Sequence, residues 1–431
     1  MISEIAAVTL SVRDMDGTLR ALVEGLGFDV ERSWDLGDEN DRDLARLWQL
    51  PSPPRGRAHF LRQGGAPFGA IRLVSIEGNG PTLTEDARPY DYGYVKNLDF
   101  FTDDVASVCA RLKNVGVEFM SSPVDYALPW GGVKVTEAHT RPKEGFKFAV
   151  AKLHGAPRKA MGESPHGKPC TEVAAATQIV ADCARASSFY EQVFDCVPSA
   201  ETVVADPGLA EALHLPKDTA LRMCFIGRGG AVAGKIGLVA YEGPGVSDKR
   251  AVPRGSMPPC RGAVALSFET DELDSRHARA LARGASEVSV PAEGALLPWG
   301  RVRASSFLSP DRVLHELIER REEPLWIPVL ASTELSEGQM RGVSNVGHPG
   351  RVLVIRAQQR VLAWRDQCPH LDGPLSRGLC EGSFVVCPWH GWRIDLLTGR
   401  VEGGLGLSVA SVPARERKGW IEIGSPRARQ A

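Results

Sequence analysis

An internal repeat constrains the fold of this 431-residue chain more than any other feature of its sequence. The segment LPWGGVKV begins at Leu128, and the similar LPWGRVRA begins at Leu297, 169 positions later. Gly116 and Gly284, each at the end of a helix-like segment, are 168 positions apart. Because several matching segments keep nearly the same offset, we predict a tandem duplication that covers residues 1 to about 320.

Each copy divides into two similar modules. The opening EIAAVTLSVRD alternates as a strand does, and the helix-like GTLRALVEGLGF with its Gly-Phe stop and further strand-like runs follow it. The pattern restarts at VKNLDFFTDD, at AATQIVAD and at GAVALSFETDE. We therefore predict an α+β fold of four βαβββ modules in two tandem copies, residues 1–153 and 171–320, joined by a Gly/Pro-rich linker at 154–170.

These segments, together with the ending FLSPDRVLHELIER, resemble the vicinal oxygen chelate superfamily of glyoxalases, bleomycin-resistance proteins and extradiol dioxygenases. Four modules in about 320 residues resemble the layout of the two-domain extradiol dioxygenases. The resemblance implies a divalent metal at the mouth of a cupped sheet. Its usual ligands are a His on the first strand of each of two modules and a Glu on a last strand, a set that suits Fe(II) or Mn(II).

The chain departs from this ligand pattern. The four first-strand His positions fall on Ala7, Asn97, Ala175 and Ala265. Glu316 alone stands where the resemblance places a ligand. Since alanine cannot coordinate a metal, we expect the usual three-ligand site to be lost in both copies. Glu316 is the remaining candidate catalytic residue and a candidate ligand for a mononuclear Fe(II), and the alternative is a rim carboxylate of a degenerate site.

Other side chains are candidate replacement ligands, although surface or packed strand residues are the preferred interpretation of each. These candidates are His59, Glu137, His139 and His315. The repeated Trp130 and Trp299 are expected to line a cavity or pack at the start of a strand. A fold of this kind can still bind an apolar or aromatic molecule without a metal, because the concave site does not require the ion.

The C-terminal segment CPHLDGPLSRGLCEGSFVVCPWHGW carries the clearest chemistry of the chain. Cys368 and His370 are followed, after sixteen residues, by Cys387 and His390. Two Cys–His pairs in Pro-rich loops are what a Rieske [2Fe–2S] cluster requires, because one iron takes both thiolates and the other takes both imidazoles. A Cys2His2 zinc site would use the same ligand types.

The surroundings of the two pairs favour the cluster over zinc. The motifs CPH, GPLSRG, CPWHGW and RIDLLTGR resemble Rieske ferredoxins and the N-terminal domains of Rieske oxygenases over about 100 residues. We therefore predict an all-β Rieske domain at 325–424 that holds a [2Fe–2S] cluster. Cys380 does not fill the position of the extra loop cysteines that some high-potential relatives join by a disulfide, so the resemblance implies the ferredoxin and oxygenase class.

Three functions are compatible with this arrangement. In the preferred one, an oxygenase-like oxidoreductase binds an aromatic or apolar small molecule in the N-terminal region, and the cluster exchanges electrons with that molecule or with an iron there. In the second, the chain carries electrons to a separate oxygenase, and in the third it sequesters a ligand while the cluster senses redox state. The 41 residues after His390 are too few for the mononuclear iron domain of a Rieske oxygenase, so an ordinary oxygenase is not expected. A reductase or a ferredoxin is the expected electron donor.

Composition excludes several partners. Lys and Arg number 51 against 53 Asp and Glu, so there is no basic excess to favour nucleic acid or a membrane surface. No segment approaches the ~20 apolar residues that span a bilayer, and the first residues lack a signal-peptide core. The odd count of nine cysteines argues against a complete disulfide framework and points to a reducing compartment. We therefore predict a cytoplasmic protein with no membrane or nucleic-acid partner, and a homo-oligomer is left open.

Overall fold

The computed structural model describes most of the chain. The described residues are 2–37, 41–64, 66–129, 133–155, 167–199, 201–228, 233–252, 255–320, 325–344, 346, 348, 350–402 and 407–425. The chain divides into two compact units, the first formed by Met1–Gly227 with Val232–Arg321 and the second by Glu322–Ala431 with Arg228–Ala231. Among the described residues, no helix is long and apolar enough to cross a membrane.

The first unit contains four modules, each of which begins with a strand and a helix and continues with further strands. The first module comprises β1 (Ile2–Ser11), α1 (Met15–Arg20), β2 (Asp29–Leu36), α2 (Arg42–Leu47), β3 (Gly56–Arg62) and β4 (Ala70–Ile76). The second comprises β5 (Tyr94–Phe101), α3 (Val105–Asn114), β6 (Val124–Ala127), β7 (Lys134–His139) and β8 (Lys147–His154). The third comprises β9 (Ala175–Ile179), α4 (Cys183–Phe194), β10 (Val197–Pro198), β11 (Thr202–Val204), α5 (Pro207–Ala212), β12 (Ala220–Gly227) and β13 (Lys235–Glu242). The fourth comprises β14 (Gly262–Thr270), α6 (Leu273–Ala282), β15 (Ser286–Leu296), β16 (Gly300–Leu308) and β17 (Leu314–Arg320). The predicted α+β architecture is confirmed.

An aspartate begins the helix in three of the four modules. The carboxylates of Asp14, Asp104 and Asp182 accept hydrogen bonds from the backbone N–H three residues later, at 3.0, 2.9 and 2.7 Å. Each of these side chains satisfies an otherwise unpaired N–H of the first turn, which stabilises the helix by about 1 kcal/mol. The repeated strand–Asp–helix junction therefore sets where each helix turns back onto the sheet.

Strand pairing joins modules of different copies. Within every module the first strand lies parallel to the last: β1 to β4, β5 to β8, β9 to β13 and β14 to β17. Between modules, β1 pairs antiparallel with β14, and β5 pairs antiparallel with β9. The first and fourth modules therefore form one half of the unit, here called the outer half, and the second and third modules form the inner half.

The sheet of the outer half is covered on both faces. On one face Val8 and Leu10 pack against the helices, in the largest apolar cluster of the unit. On the other face Ala7 and Ala265 lie in a second cluster with Trp48, which is fully buried. Because neighbouring strand residues point to opposite faces, the two faces of β1 have different roles.

The second unit consists of three small antiparallel sheets. Its strands are β18 (Leu325–Ala331), β19 (Met340–Val343), β20 (Val352–Ala357), β21 (Arg360–Arg365), β22 (Leu379–Glu381), β23 (Phe384–Val386), β24 (Arg393–Asp395), β25 (Ser411–Val412), β26 (Ala414–Arg417) and β27 (Trp420–Ser425). The sheets are β18–β27–β26, β19–β20–β21–β25 and β22–β23–β24. The all-β prediction for this region is confirmed.

Candidate metal centre

Two loops that frame the sheet β22–β24 are built in the same way. In the first loop the N–H of Cys368 donates to the carbonyl of Gly373 at 2.8 Å, and the N–H of Asp372 donates to the carbonyl of Cys368 at 2.9 Å. In the second, Cys387 and Gly391 make the equivalent bonds at 2.8 and 3.0 Å. The fourth residue after each cysteine has a positive φ, 57° at Asp372 and 67° at Gly391. Each cysteine is thus fixed at the base of a tight, hydrogen-bonded loop.

The loops bring four potential ligands together. The ligand atoms of Cys368, Cys387 and His390 all lie within 4.8 Å of one another. The His370 ring is 4.4 Å from the His390 ring, centroid to centroid, and it stacks on Trp392 at the same separation. Elsewhere in the described part of the chain, no three His, Cys, Asp or Glu side chains meet in this way.

The site fits a cluster rather than a packed core. Nδ1 of His370 is buried and has no hydrogen-bond partner among the described residues, as expected for an atom that is to bind a metal. Burial and the neighbouring Cys387 thiol raise the pKa of Cys368 to about 11, so two thiolates side by side need a bound cation. A Cβ on Gly373 would lie 3.3 Å from the Cys387 sulfur and 3.1 Å from Trp389, so glycine keeps this space open.

The thiols and the imidazoles differ in exposure. Both cysteines are buried, whereas both histidines are half-buried. Leu371 and Trp389, each next to one of the histidines, are 52% and 61% exposed. The imidazole side of the site is therefore the side that a partner can approach.

Glu316, the candidate ligand of the first unit, is fully buried in an ion pair. Its carboxylate accepts hydrogen bonds from Arg72 at 2.7 and 2.8 Å, from Trp48 Nε1 at 2.7 Å and from the Ser267 hydroxyl at 2.6 Å. Arg72 is 1% exposed and also donates to Thr9. Both oxygens of Glu316 are therefore occupied by donors of the protein itself.

Strand register explains why these residues meet. Thr9 lies beside Arg72 in the β1–β4 pair, and Ser267 lies beside Glu316 in the β14–β17 pair. The Arg72 guanidinium also lies over the rings of Trp48 and Trp299, 5.2 and 5.5 Å from their centroids. A positive group thus sits beside Glu316, the residue that the resemblance makes a candidate metal ligand.

Little in the sequence predicts this ion pair. Arg72 interrupts the apolar run AIRLVSI, and a charged residue in a buried strand is the one signal that could have indicated it. Trp48 follows α2, an element that the βαβββ pattern does not include.

His315 points to the opposite face of β17. Its ring stacks parallel to Phe268 and Phe307, and its two nitrogens lie 3.0 Å from the Tyr190 hydroxyl and 2.8 Å from the carbonyl of Val313. Burial lowers its pKa to about 4, so the ring is neutral at physiological pH. His315 is therefore a hydrogen-bonded core residue in this structure.

The remaining candidates of the first unit are separated. His59, on β3, lies 2.8 Å from the Ser33 hydroxyl. Trp299 packs edge-on against Phe60 and donates to Glu269 at 2.8 Å. Trp130 lies outside the described residues.

Glu137 and His139 belong to a buried polar cluster in the inner half. Nε2 of His139 is 3.4 Å from the Glu137 carboxylate, which also accepts from the Tyr126 hydroxyl at 2.9 Å. Burial lowers the pKa of His139, which favours the neutral ring. The cluster continues to Asp99 on β5, and the hydrogen bonds to its carboxylate come from Asn97 and Thr177. Asn97 and Ala175, two of the positions expected to carry His, both lie on strands of this half.

Comparison with known proteins identifies the second unit. Residues 325–412 match the family model described as Rieske [2Fe-2S] domain. Ferredoxin CarAc of Metapseudomonas resinovorans is 32% identical over 75 residues, which are 17% of this chain and 69% of that protein. The ferredoxin component of the naphthalene 1,2-dioxygenase system of Pseudomonas aeruginosa is also 32% identical over 75 residues, 17% of this chain and 70% of that protein. In larger relatives the match spans only 9% to 21% of their length.

The first unit resembles solved glyoxalase structures. The superposition on glyoxalase I from Zea mays includes 74% of this chain and 93% of the glyoxalase chain. Its TM-score is 0.47, and the sequence identity is 16%. The sequence relatives that establish a family all match the second unit. Through it, the chain belongs to the Rieske [2Fe–2S] family.

Proposed function

We propose that this protein is an electron-transfer oxidoreductase whose Rieske cluster is held by Cys368, His370, Cys387 and His390. The observation that carries this proposal is the asymmetry of the site. The thiols are buried at the base of two matched loops, and the imidazoles lie toward the surface. A [2Fe–2S] cluster held by these residues accepts and donates single electrons.

The residues of the chain prepare the site for this role. The paired backbone hydrogen bonds hold both cysteines at the base of their loops. Trp392 stacks on His370 and so fixes the orientation of that ring. The exposed Leu371 and Trp389 provide an apolar contact beside the histidines, where a reductase, a ferredoxin or an acceptor protein would dock.

The outer half favours a carrier role over oxygenase chemistry at an iron held by Glu316. Four hydrogen bonds from Arg72, Trp48 and Ser267 occupy the carboxylate of that residue, so a metal would first have to displace Arg72. We propose that electrons leave the cluster for a separate protein, as in the second of the functions derived from the sequence.

A second candidate function is the conversion of a bound small molecule by electrons from the cluster. The observation that favours it is a cavity of about 730 Å³ in the first unit, large enough for a small aromatic molecule. In this case an apolar or aromatic substrate would be required before the reduced cluster is reoxidised.

Ligand substitutions test the cluster assignment. Cys368→Ala and His390→Ala are each expected to abolish the visible absorption of the cluster and electron transfer to cytochrome c. Cys380→Ala is the matched control because this half-buried thiol lies in the same unit and outside the ligand group. Retention of the absorption by either ligand variant would refute the assignment.

Reoxidation kinetics separate the two functions. The cluster is reduced anaerobically and then mixed with cytochrome c, or with air in the presence of benzoate or naphthalene. A carrier is expected to reduce cytochrome c at a rate that the small molecules leave unchanged. If benzoate or naphthalene instead accelerates reoxidation by air, the second function replaces the first.

A further inference from the structure

The cavity of the first unit has an apolar wall. It lies beside the beginnings of β5 and β8 and has a volume of about 730 Å³. Tyr94, Phe146 and Phe148 contribute to this wall, and each is at most 6% exposed. A wall of aromatic side chains suits the body of a small organic molecule.

Two buried lysines share the wall of this cavity. Lys96 and Lys147 are 6% and 3% exposed, and their amino groups lie within hydrogen-bonding reach of each other. Lys96 donates to the Tyr241 hydroxyl, and Lys147 reaches the Met120 sulfur at 3.6 Å, a weak acceptor. Neither amino group forms an ion pair with a carboxylate of a described residue. Two adjacent ammonium groups without a counter-ion are unfavourable in a buried site. Burial accordingly lowers the pKa of both lysines, and the neighbouring Lys147 lowers that of Lys96 further.

The nearest carboxylates do not neutralise this pair. Glu137 acts electrostatically on both lysines, but its carboxylate accepts a hydrogen bond from Tyr126 at 2.9 Å and lies 3.4 Å from His139. Asp99 is hydrogen-bonded within the same buried cluster. Because the protein leaves this pair without a direct anionic partner, a ligand is the natural source of one.

Charges at the rim of the cavity are mostly paired with each other. Arg141 lies 3.3 Å from Glu118, and Lys143 lies 3.4 Å from Asp14. These exposed pairs contribute little to affinity because solvent screens them. Glu144, a buried carboxylate of the cavity lining, lies 3.0 Å from Arg261. The lysine pair therefore provides the buried basic groups that face the cavity.

We propose that this cavity binds an organic anion, a carboxylate on an apolar or aromatic body, with the carboxylate between Lys96 and Lys147. Two charge-assisted hydrogen bonds from one pair of amino groups to the two carboxylate oxygens would satisfy both partners. The aromatic wall would then cover the body of the ligand. This proposal concerns binding alone and does not depend on the proposed electron-transfer function.

Calorimetric titration of the cluster-loaded chain tests this proposal. The probes are benzoate and hexanoate, and the neutral amides benzamide and hexanamide are their matched controls. The carboxylates are expected to bind at least about tenfold more tightly than the amides, because only they complete the lysine pair. Equal affinity of an acid and its amide would overturn the proposal, and so would the absence of binding by both acids.

Variants locate the site. Lys147→Met and Lys96→Met keep an unbranched side chain that is one atom shorter, remove the amino group and are expected to weaken benzoate binding by about tenfold or more. Lys143→Met, at the rim, is expected to change the affinity by less than about twofold. Benzoate affinity that is unchanged in both buried-lysine variants would overturn the assignment.

Proton uptake on binding tests the proposal in the wild-type chain. Burial lowers the pKa of Lys147 to about 8, and a bound carboxylate raises it again, so binding near that pH takes up protons. Titrations in two buffers with different heats of ionisation report this uptake. Binding without proton uptake would place the anion away from the lysines. A cluster-ligand variant such as Cys368→Ala is expected to lose electron transfer and to keep its affinity for benzoate. The binding proposal and the electron-transfer proposal are therefore tested independently.

Discussion

At the scale of single residues, the outer half contains a buried ion pair at Glu316, the candidate metal ligand predicted from the sequence. Glu316 keeps the residue type that the resemblance implies, but Arg72 supplies the positive charge within 2.7 Å. A buried ion pair is costly to desolvate, and removing one partner leaves the other unpaired. Removing one partner is therefore expected to cost more stability than replacing both.

A double-mutant cycle measures this coupling. Arg72→Met and Glu316→Leu are each expected to lower the free energy of unfolding by about 3–5 kcal/mol, because either leaves a buried charge without its partner. The double variant is expected to be more stable than both single variants. Urea unfolding followed by tryptophan fluorescence gives the four values. Additive losses would show that the two residues stabilise the fold independently.

A second residue makes stability depend on pH. Burial raises the pKa of Asp99 to about 8, above its ordinary value of 3.8, so the folded chain holds this proton more tightly than the unfolded chain. The stabilising contribution is complete below about pH 4 and is lost as the pH rises through about 8. In Asp99→Asn the midpoint of urea unfolding is therefore expected to fall less steeply between about pH 4 and pH 8 than in the wild-type chain. Asp125→Asn, an exposed carboxylate on β6, is the control, and an equal decline in wild type and Asp99→Asn would contradict the prediction.

At the scale of elements, the two ligand loops depend on glycine for different reasons. Gly391 has a φ of 67°, and a Cβ built there would meet no atom within 4 Å. Gly373 is crowded instead, because its Cβ would approach both the Cys387 sulfur and Trp389. Both loops have a left-handed residue, Asp372 in one and Gly391 in the other, whereas Gly373 provides space between the loops.

Alanine at each position separates these effects. Gly391→Ala is expected to cost about 1–2 kcal/mol of stability through backbone strain and to retain the cluster absorption. Gly373→Ala is expected to reduce cluster loading, because the methyl group pushes the two loops apart. Iron content and visible absorption of the purified variants provide the measurement. Full loading of Gly373→Ala would show that the loops can adjust.

At the scale of the whole molecule, the repeat in the sequence is not the unit of strand pairing. The first module pairs with the fourth and the second with the third, so each half contains one module from each copy. A single copy lacks the strands that complete its own sheets. Unpaired strand edges promote association.

Expression of one copy alone tests this dependence. Residues 1–153 retain β1 and β5 but lose β14 and β9, their antiparallel partners. We expect this fragment to self-associate, whereas residues 1–320 supply every pairing internally. Sedimentation velocity distinguishes the two results. A stable monomeric copy would show that pairing across the copies is dispensable.

Iron content is the second prediction at this scale. After full loading we expect about two iron atoms per chain, the number in one [2Fe–2S] cluster, because protein donors already occupy Glu316. Added Fe(II) followed by desalting is expected to leave this number unchanged. Elemental analysis gives the ratio. A third iron that is lost in Glu316→Gln would restore the mononuclear site as a hypothesis.

The sequence by itself determined the features that are written in local patterns. The strand-like and helix-like segments recur along the chain and predicted four α+β modules, because hydrophobic alternation and helix stop signals act over a few residues. The spacing of Cys368, His370, Cys387 and His390 predicted the Rieske domain for the same reason, since each loop carries its own ligand pair. The alanines at the first-strand positions also predicted a departure from the usual metal site.

Only the tertiary structure decided which modules pair and what fills the space between them. Trp48 and Arg72 reach Glu316 from 268 and 244 positions away, and no local pattern encodes that contact. Lys96 and Lys147 meet because β5 and β8 lie side by side in parallel, a register that the sequence does not specify. Such contacts depend on strand order and on burial, which are properties of the folded sheet and not of any short segment.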